Sequence, residues 1–192
     1  MSTILRLAQN PGLQNSLPPL QTVGALPPIN LILGAATSSV NFDAIPGGNN
    51  LRLNITTRLL GATGIGTVFL RINDNTGAVY DTVNWIGLNP QTTGTVTGSS
   101  VFAATSGTIG VFPANSAITG ACGHAVINLS GCRAPFFKNV VSQCSHISSG
   151  TDGRLAMSQI TFRSTGTTLS QIKITSSDGD FATGSIFTLA PL

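Results

Sequence analysis

Apolar and polar residues alternate along short segments of the chain, and this alternation is typical of β-strands. Between Leu51 and Arg58, for example, Leu51, Leu53 and Ile55 occupy every second position. Because successive side chains of a strand point to opposite faces, these three are expected to face a core. No segment long enough for a helix repeats its apolar residues at the helical period of about 3.6. The pattern therefore predicts an all-β chain.

Turns rich in Gly, Asn, Asp and Ser separate the predicted strands. About ten short strands follow from these boundaries, and with uneven loops they favour a jelly-roll-like antiparallel β-sandwich of about 8–10 strands over an immunoglobulin-type sandwich. The strands are predicted around Phe42 and at 51–58, 67–73, 79–86, 94–103, 108–112, 122–129, 136–144, 155–163, 169–176 and 185–189.

An uncharged stretch precedes these strands. The 36 residues between Arg6 and Asp43 carry no charged side chain and hold five of the ten prolines. The prolines exclude a long helix or a membrane span. Ten Leu, Ile or Val residues between Leu7 and Leu33 are too many for a solvated tail. We therefore predict an extended, apolar, proline-rich N-terminal arm over residues 1–39 and a jelly-roll domain over residues 40–192.

The arm is expected to lie on other protein subunits, because ordering it costs more conformational entropy than its own apolar burial returns. Addition of the arm as a strand to a preformed surface would satisfy its backbone hydrogen bonds. An arm folded back along its own domain is the alternative. The side chains predicted to anchor the arm on a partner are Leu13, Leu17, Leu20, Leu26, Ile29 and Leu31.

Charge is scarce throughout the chain. Charged residues make up 8% of it and glutamate is absent, against about 25% charged residues in ordinary soluble domains. Weak repulsion suits subunits packed closely in an assembly.

The net charge is +3, but the seven arginines are scattered without interleaved aromatics, so no nucleic-acid binding is predicted. The first residues lack a signal-peptide pattern, and no apolar run is long enough to span a membrane. The odd number of cysteines, three, favours synthesis in a reducing cytoplasm.

Residues suited to catalysis are few. The chain has two histidines and six aspartates, and it shows no nucleophile elbow, metalloprotease helix or phosphate-binding loop. We therefore predict no enzymatic activity and no cofactor. Cys122 with His124, and Cys144 with His146, could approach a zinc site together with Cys132 if the strands met. The odd cysteine count and the unusual spacing favour reduced cysteines in the core instead, and no metal site is predicted.

From Phe42 onward the order of features resembles a family of small β-sandwich virion proteins of tailed bacteriophages. The resemblance has three parts: Phe42–Pro46 followed by the alternating strand, then 70–81 (LRINDNTGAVYD), then 172–189 (IKITSSDGDFATGSIFTL). Within the second part, Gly77 is expected to supply a positive φ, Asp81 to brace the turn, and Tyr80 to anchor it to the core. The three-cysteine middle segment and the ending Leu189–Pro191 depart from the family's pattern.

The resemblance implies a structural particle protein and not an enzyme. The preferred hypothesis is a capsid cement, or decoration, protein on the outer surface of the phage head. It would be a homotrimer whose arm staples neighbouring copies of the major capsid protein. The alternative is a tail or head-fibre component that binds a host-surface glycan, with Trp85 and Tyr80 as the candidate aromatics. A self-assembling shell subunit is a third possibility.

Overall fold

The computed structural model describes residues 27–89, 94–117, 119–149, 152–166 and 168–192. This part of the chain forms twelve β-strands and no helix, so it holds no helix that could span a membrane. The strands are β1 Ile29–Ile32, β2 Ser39–Phe42, β3 Asn50–Thr57, β4 Ile65–Ile72, β5 Tyr80–Asn89, β6 Thr95–Ala104, β7 Gly107–Pro113, β8 Gly123–Ser130, β9 Lys138–Ser149, β10 Asp152–Phe162, β11 Ile172–Ser176 and β12 Ile186–Pro191.

The strands form two antiparallel sheets that pack into a jelly-roll-like sandwich. The large sheet has the order β1-β12-β3-β8-β9-β10-β5-β6, and the small sheet has the order β2-β11-β4-β7. Eight of the strands follow the jelly-roll path, which alternates between the sheets along the chain except where β4 and β7 pair with each other in the small sheet. The hairpin β5–β6 is inserted between β4 and β7, and β9–β10 between β8 and β11. Both hairpins extend the large sheet beyond β8, so it is twice as wide as the small one.

The predicted alternation places the core between the sheets. In β3, Leu51, Leu53 and Ile55 are fully buried. In β4, Val68, Leu70 and Ile72 meet them from the small sheet as members of the same cluster. Burying one such side chain contributes about 1.5–3 kcal/mol to folding. The outward residues of the large sheet are left to solvent or to a partner.

The sandwich begins inside the segment that was assigned to the arm. β1 pairs with β12, with Ile29 opposite Leu189 and Leu31 opposite Phe187. Farther along, the amide of Leu33 donates to the carbonyl of Ser185 at 2.9 Å, and β2 pairs with β11. The run INLI alternates inward and outward as strand residues do. The proline density nearby concealed this strand, and it accounts for the twelfth strand beyond the predicted set.

Candidate interaction surface

The outward side chains of the large sheet lie in rows across neighbouring strands. The register places Gln143, Met157, Trp85 and Gly98 side by side, on β9, β10, β5 and β6 respectively. A second row holds Ser145, Leu155, Gly87 and Val96 in the same strand order. Because paired residues share a face of the sheet, each row is one continuous strip of surface.

Seven outward apolar residues of β9, β10, β5 and β6 form a surface that we call the apolar half. Six of them are exposed, from 75% for Val96 to 39% for Met157. The members are Val83, Trp85, Val96, Val141, Ile147, Leu155 and Met157. Gln143, Ser145 and Gln159 lie between them. An ion pair lies at one end, where Arg163 Nε is 2.9 Å from Asp81 Oδ2. A patch of this kind is typical of protein-binding surfaces.

Small residues shape the apolar half. Gly98 stands opposite Trp85, and a Cβ added at Gly98 would lie 3.8 Å from Trp85 Cδ1, so the indole borders β6 closely. Next to this row, a cleft of about 560 Å³ is lined by Gly87, Val96 and Leu155 on the face of the apolar half and by His146 and Arg154, whose positions belong to the opposite face of the sheet. The surface therefore combines a raised aromatic ring with an adjacent depression, a shape that can receive a side chain of a partner.

The other four strands of the large sheet carry a surface of different character, which we call the polar half. Its outward residues bond to one another across strands. Arg52 Nε donates to Asn128 Oδ1 at 3.1 Å, and Thr188 Oγ1 donates to Asn30 Oδ1 at 2.8 Å. Ile32 and Ile186 are paired at one end of this half. Most of its side chains are thus partnered within the sheet itself.

A loop carries a second exposed apolar feature. Phe136 and Phe137 precede β9 and are 70% and 48% exposed. The Lys138 ammonium donates to the carbonyls of Ala134 and Phe136, at 2.9 Å in each case. Burial lowers the pKa of Lys138. This lysine therefore holds the backbone of the loop in a conformation that presents both rings outward.

The predicted anchors of the arm divide into two groups. Leu13, Leu17, Leu20 and Leu26 lie outside the described residues, so their role stays a prediction. Ile29 and Leu31 are half-buried in β1 and pack against the domain's own core. The structure thus places these two on the sandwich to which they belong.

Tyr80 is a scaffold residue, as the sequence predicted. Its side chain is fully buried, and its hydroxyl accepts from the amide of Ile72 at 2.8 Å and donates to the carbonyl of Asn75 at 3.2 Å. Burial raises the pKa of Tyr80 to about 12. Of the two candidate aromatics for a glycan, only Trp85 is at the surface, at 44% exposure.

One detail of the turn before Tyr80 differs from the expectation. Positive φ values occur at Asn73 (55°) and Asp74 (47°), not at Gly77. Asn and Asp adopt this region more readily than most other residues. The side chain of Asn73 is held by a distant segment, since the amide of Ser170 donates to its Oδ1 at 2.8 Å. Asp81 is linked to the end of the turn through Arg163, which pairs with it and donates to the carbonyl of Ala78 at 2.9 Å. Its Oδ1 accepts from the amide of Ala103 at 2.9 Å and therefore fastens the end of β6.

The cysteines and histidines do not converge on a metal site within the described residues. Cys132 and Cys144 are buried and unpaired in the core, whereas Cys122 is exposed. Burial raises the pKa of the Cys144 thiol to about 12 and that of Cys132 to about 11. Position 124 faces outward and position 146 inward, since their strands pair with Gly123 opposite His146. Opposite faces keep the two imidazoles apart.

Sequence reasoning missed the apolar half. Its members are single apolar residues at outward positions of four strands that lie far apart in the chain. A run such as Leu155, Met157 and Gln159 alternating with Ala156 and Ser158 does offer a signal, because its larger apolar residues fall on the face opposite the core. That signal is only visible once the inward face is known.

Comparisons with known proteins assign no family. No protein-family model matches the chain, and no curated protein matches it. A chain of the solved structure described as "Structure of infectious bursal disease virus Gx strain" aligns at 10% sequence identity and a TM-score of 0.17. The alignment covers 86% of this chain and 39% of that chain, so this chain spans less than half the length of the viral one. A TM-score this low carries no argument.

Proposed function

We propose that the protein is a capsid cement protein, a structural virion component that binds the outer surface of a phage head. The observation that carries the proposal is the apolar half of the large sheet. A jelly roll is a scaffold that viral capsid domains share with lectins and cupins. The apolar half gives this one an exposed apolar surface suited to permanent contact with a protein shell, and the scarcity of charge allows dense packing.

The size of the apolar half indicates how much it contributes. Four strands by four outward rows measure about 19 Å by 27 Å, or roughly 500 Å². A standard interface buries about 800 Å² on each partner. Docking of this half alone would therefore give somewhat more than half of a stable contact. Residues 1–26, the remaining part of the predicted arm, would supply the rest by lying across neighbouring copies of the major capsid protein.

Substitutions on the apolar half test this function. The chain with Leu155→Ser and Met157→Ser should fold normally and lose most of its occupancy on shells of the virus that encodes it. A matched control carries Asn54→Ser and Thr188→Ser on the polar half and should bind as the unaltered chain does. Occupancy is measured by mass spectrometry of purified shells after saturation and washing. Equal binding by the two variants would refute docking through the apolar half.

The arm is tested separately by deletion of residues 2–26. The deletion ends there because β1 begins at Ile29 and belongs to the sheet. Stapling predicts lower occupancy with unchanged thermal stability of the domain. Undiminished occupancy would remove the arm from the proposal while leaving the role of the apolar half intact. Copy number per particle distinguishes a cement or shell protein, present on the scale of the capsid subunits, from a tail component present in few copies.

A second candidate function is favoured by Trp85. An exposed indole can stack on a sugar while amides bond its hydroxyls. Gln159 lies diagonally across the neighbouring strand from Trp85, and Gln143 lies beyond Met157 in the same row. Under this alternative the protein is a tail or head-fibre component that binds a host-surface glycan. A glycan array probed with the full chain and with Trp85→Ala decides between the two. A hit that the substitution abolishes supports the fibre role, and an empty array supports cement.

A further inference from the structure

In the described part of the chain the two sheets have four edge strands, and three of them are protected. β1 and β2 are four residues long. β7 ends in Pro113, and its pairing with β4 is interrupted by a bulge. Short strands, prolines and bulges are the usual means of preventing an edge from pairing with another chain. β6, at the far edge of the large sheet, is ten residues long and has no proline, and its one irregularity is a bulge near its end, beside Ala103 (φ 54°).

β6 is long, uncharged and exposed. It runs for ten residues, TVTGSSVFAA, without a charge or a proline. Nine of the ten residues are exposed, including Val96 at 75% and Phe102 at 69%. Within the described residues its inner face is only partly covered: Ala104 packs against the core, and Ser99 lines a cleft with Thr67 and Thr108 of the small sheet. Its strand pairing there is with β5 alone, which leaves the backbone groups on the opposite side without a strand partner.

We propose that β6 pairs antiparallel with β6 of a second copy of this chain, about a two-fold axis. Such an axis brings a strand against itself, so any charged residue near the axis would meet its own like charge. β6 avoids this penalty at all ten positions. The small residues Gly98, Ser99 and Ser100 at its centre also leave room for close approach of the two strands. A second copy is therefore the occupant that this edge fits.

Pairing would also join the two apolar halves. β6 forms the outer border of the apolar half, and a continuous sheet across the axis would carry both halves on one face. The combined surface of roughly 1,000 Å² would exceed the area of about 800 Å² that one partner contributes to a standard interface. This two-fold pair replaces the homotrimer expected from the sequence as the form in solution. The pairing is independent of the proposed function, because it can be tested on the purified chain without any capsid shell.

The mass of the full chain in solution tests the pairing. Sedimentation equilibrium should give twice the 19.6 kDa of one chain. The variant Thr97→Lys with Ser99→Lys places positive charges along the edge and should be monomeric. A control with Thr76→Lys and Thr165→Lys adds the same charge at exposed positions away from the edge and should remain a dimer. A monomeric unaltered chain, a trimer, or a dimer that survives the edge lysines would overturn the proposal.

Two further measurements locate the contact. Amide exchange across residues 95–104 should be slow in the dimer and faster by at least tenfold in the edge-lysine variant. Proline substitutions at two neighbouring positions give an independent check. Of the amides of Ser99 and Ser100, one points toward β5 and the other points toward the open edge. One of the single variants Ser99→Pro and Ser100→Pro should therefore keep its fold and become monomeric. Dimers in which residues 95–104 exchange rapidly would contradict pairing through β6.

Discussion

The two halves of the large sheet share one backbone architecture but present different surfaces. In the polar half, outward side chains bond across strands, as Arg52 does with Asn128 and Thr188 with Asn30. In the apolar half, Trp85, Leu155 and Met157 are exposed beside one another. The inward residues of both halves are mostly buried. The difference shows that the core accounts for folding, whereas the outward residues determine which part of the sheet can bind a partner.

The largest expected effect separates inward from outward leucines. Leu53→Ala, beneath the polar half, should lower the free energy of unfolding by about 3 kcal/mol because it leaves a cavity. Leu155→Ala, on the apolar half, should change it by less than about 0.5 kcal/mol. Urea unfolding of the two variants measures both values. A comparable loss in both would mean that the apolar half contributes to the fold and is not reserved for a partner.

A smaller effect concerns binding. Trp85→Ala should weaken attachment to shells by about 2 kcal/mol, or roughly 30-fold in the dissociation constant, since exposed aromatic anchors dominate interfaces. The thermal unfolding midpoint should stay unchanged. Titration of labelled protein onto shells provides the constant, and Thr56→Ala on the polar half serves as the control. Equal affinity of the two variants would show that the two halves do not differ in function.

The buried thiol of Cys144, on the inward face beneath the apolar half, should make the stability of the fold depend on pH. Burial raises the pKa of Cys144 from 9.0 to about 12. Above pH 9 the unfolded chain releases this proton while the folded chain retains it, so stability should fall as the pH rises. The loss is about 1.4 kcal/mol per pH unit for this thiol.

Urea midpoints at pH 8, 9, 10 and 11 measure that loss. Tyr80 and Cys132 shift in the same direction, so the slope should remain in Cys144→Ala but be shallower. An identical slope in both proteins would exclude Cys144 as a source.

The smallest effect lies in the polar half. Arg52→Leu removes the hydrogen bond to Asn128 at an exposed position and should cost at most about 0.5–1 kcal/mol. Shell binding should not change. Urea unfolding and shell titration of this variant are the measurements. If binding fell as it does for Trp85→Ala, the contact would extend over the whole sheet.

The strands were largely predictable from the sequence and the interaction surface was not. Each of β2 to β12 coincides with a predicted segment, because alternation such as that of Leu51, Leu53 and Ile55 is a local property. β1 was not predicted, because prolines precede its four residues and only two of its side chains point inward. The apolar half escaped because Trp85 and Met157 are 72 positions apart (157 − 85), and only their pairing in the sheet makes them neighbours.

The sequence by itself determined the all-β class, the position of most strands and the residues that face the core. All three follow from a period of two residues within single segments. Only the tertiary structure decided that β1 belongs to the sandwich, that two inserted hairpins widen one sheet, and that β6 forms its open edge. These facts depend on which strands pair, and pairing joins residues far apart in the chain through backbone hydrogen bonds that carry no local signature.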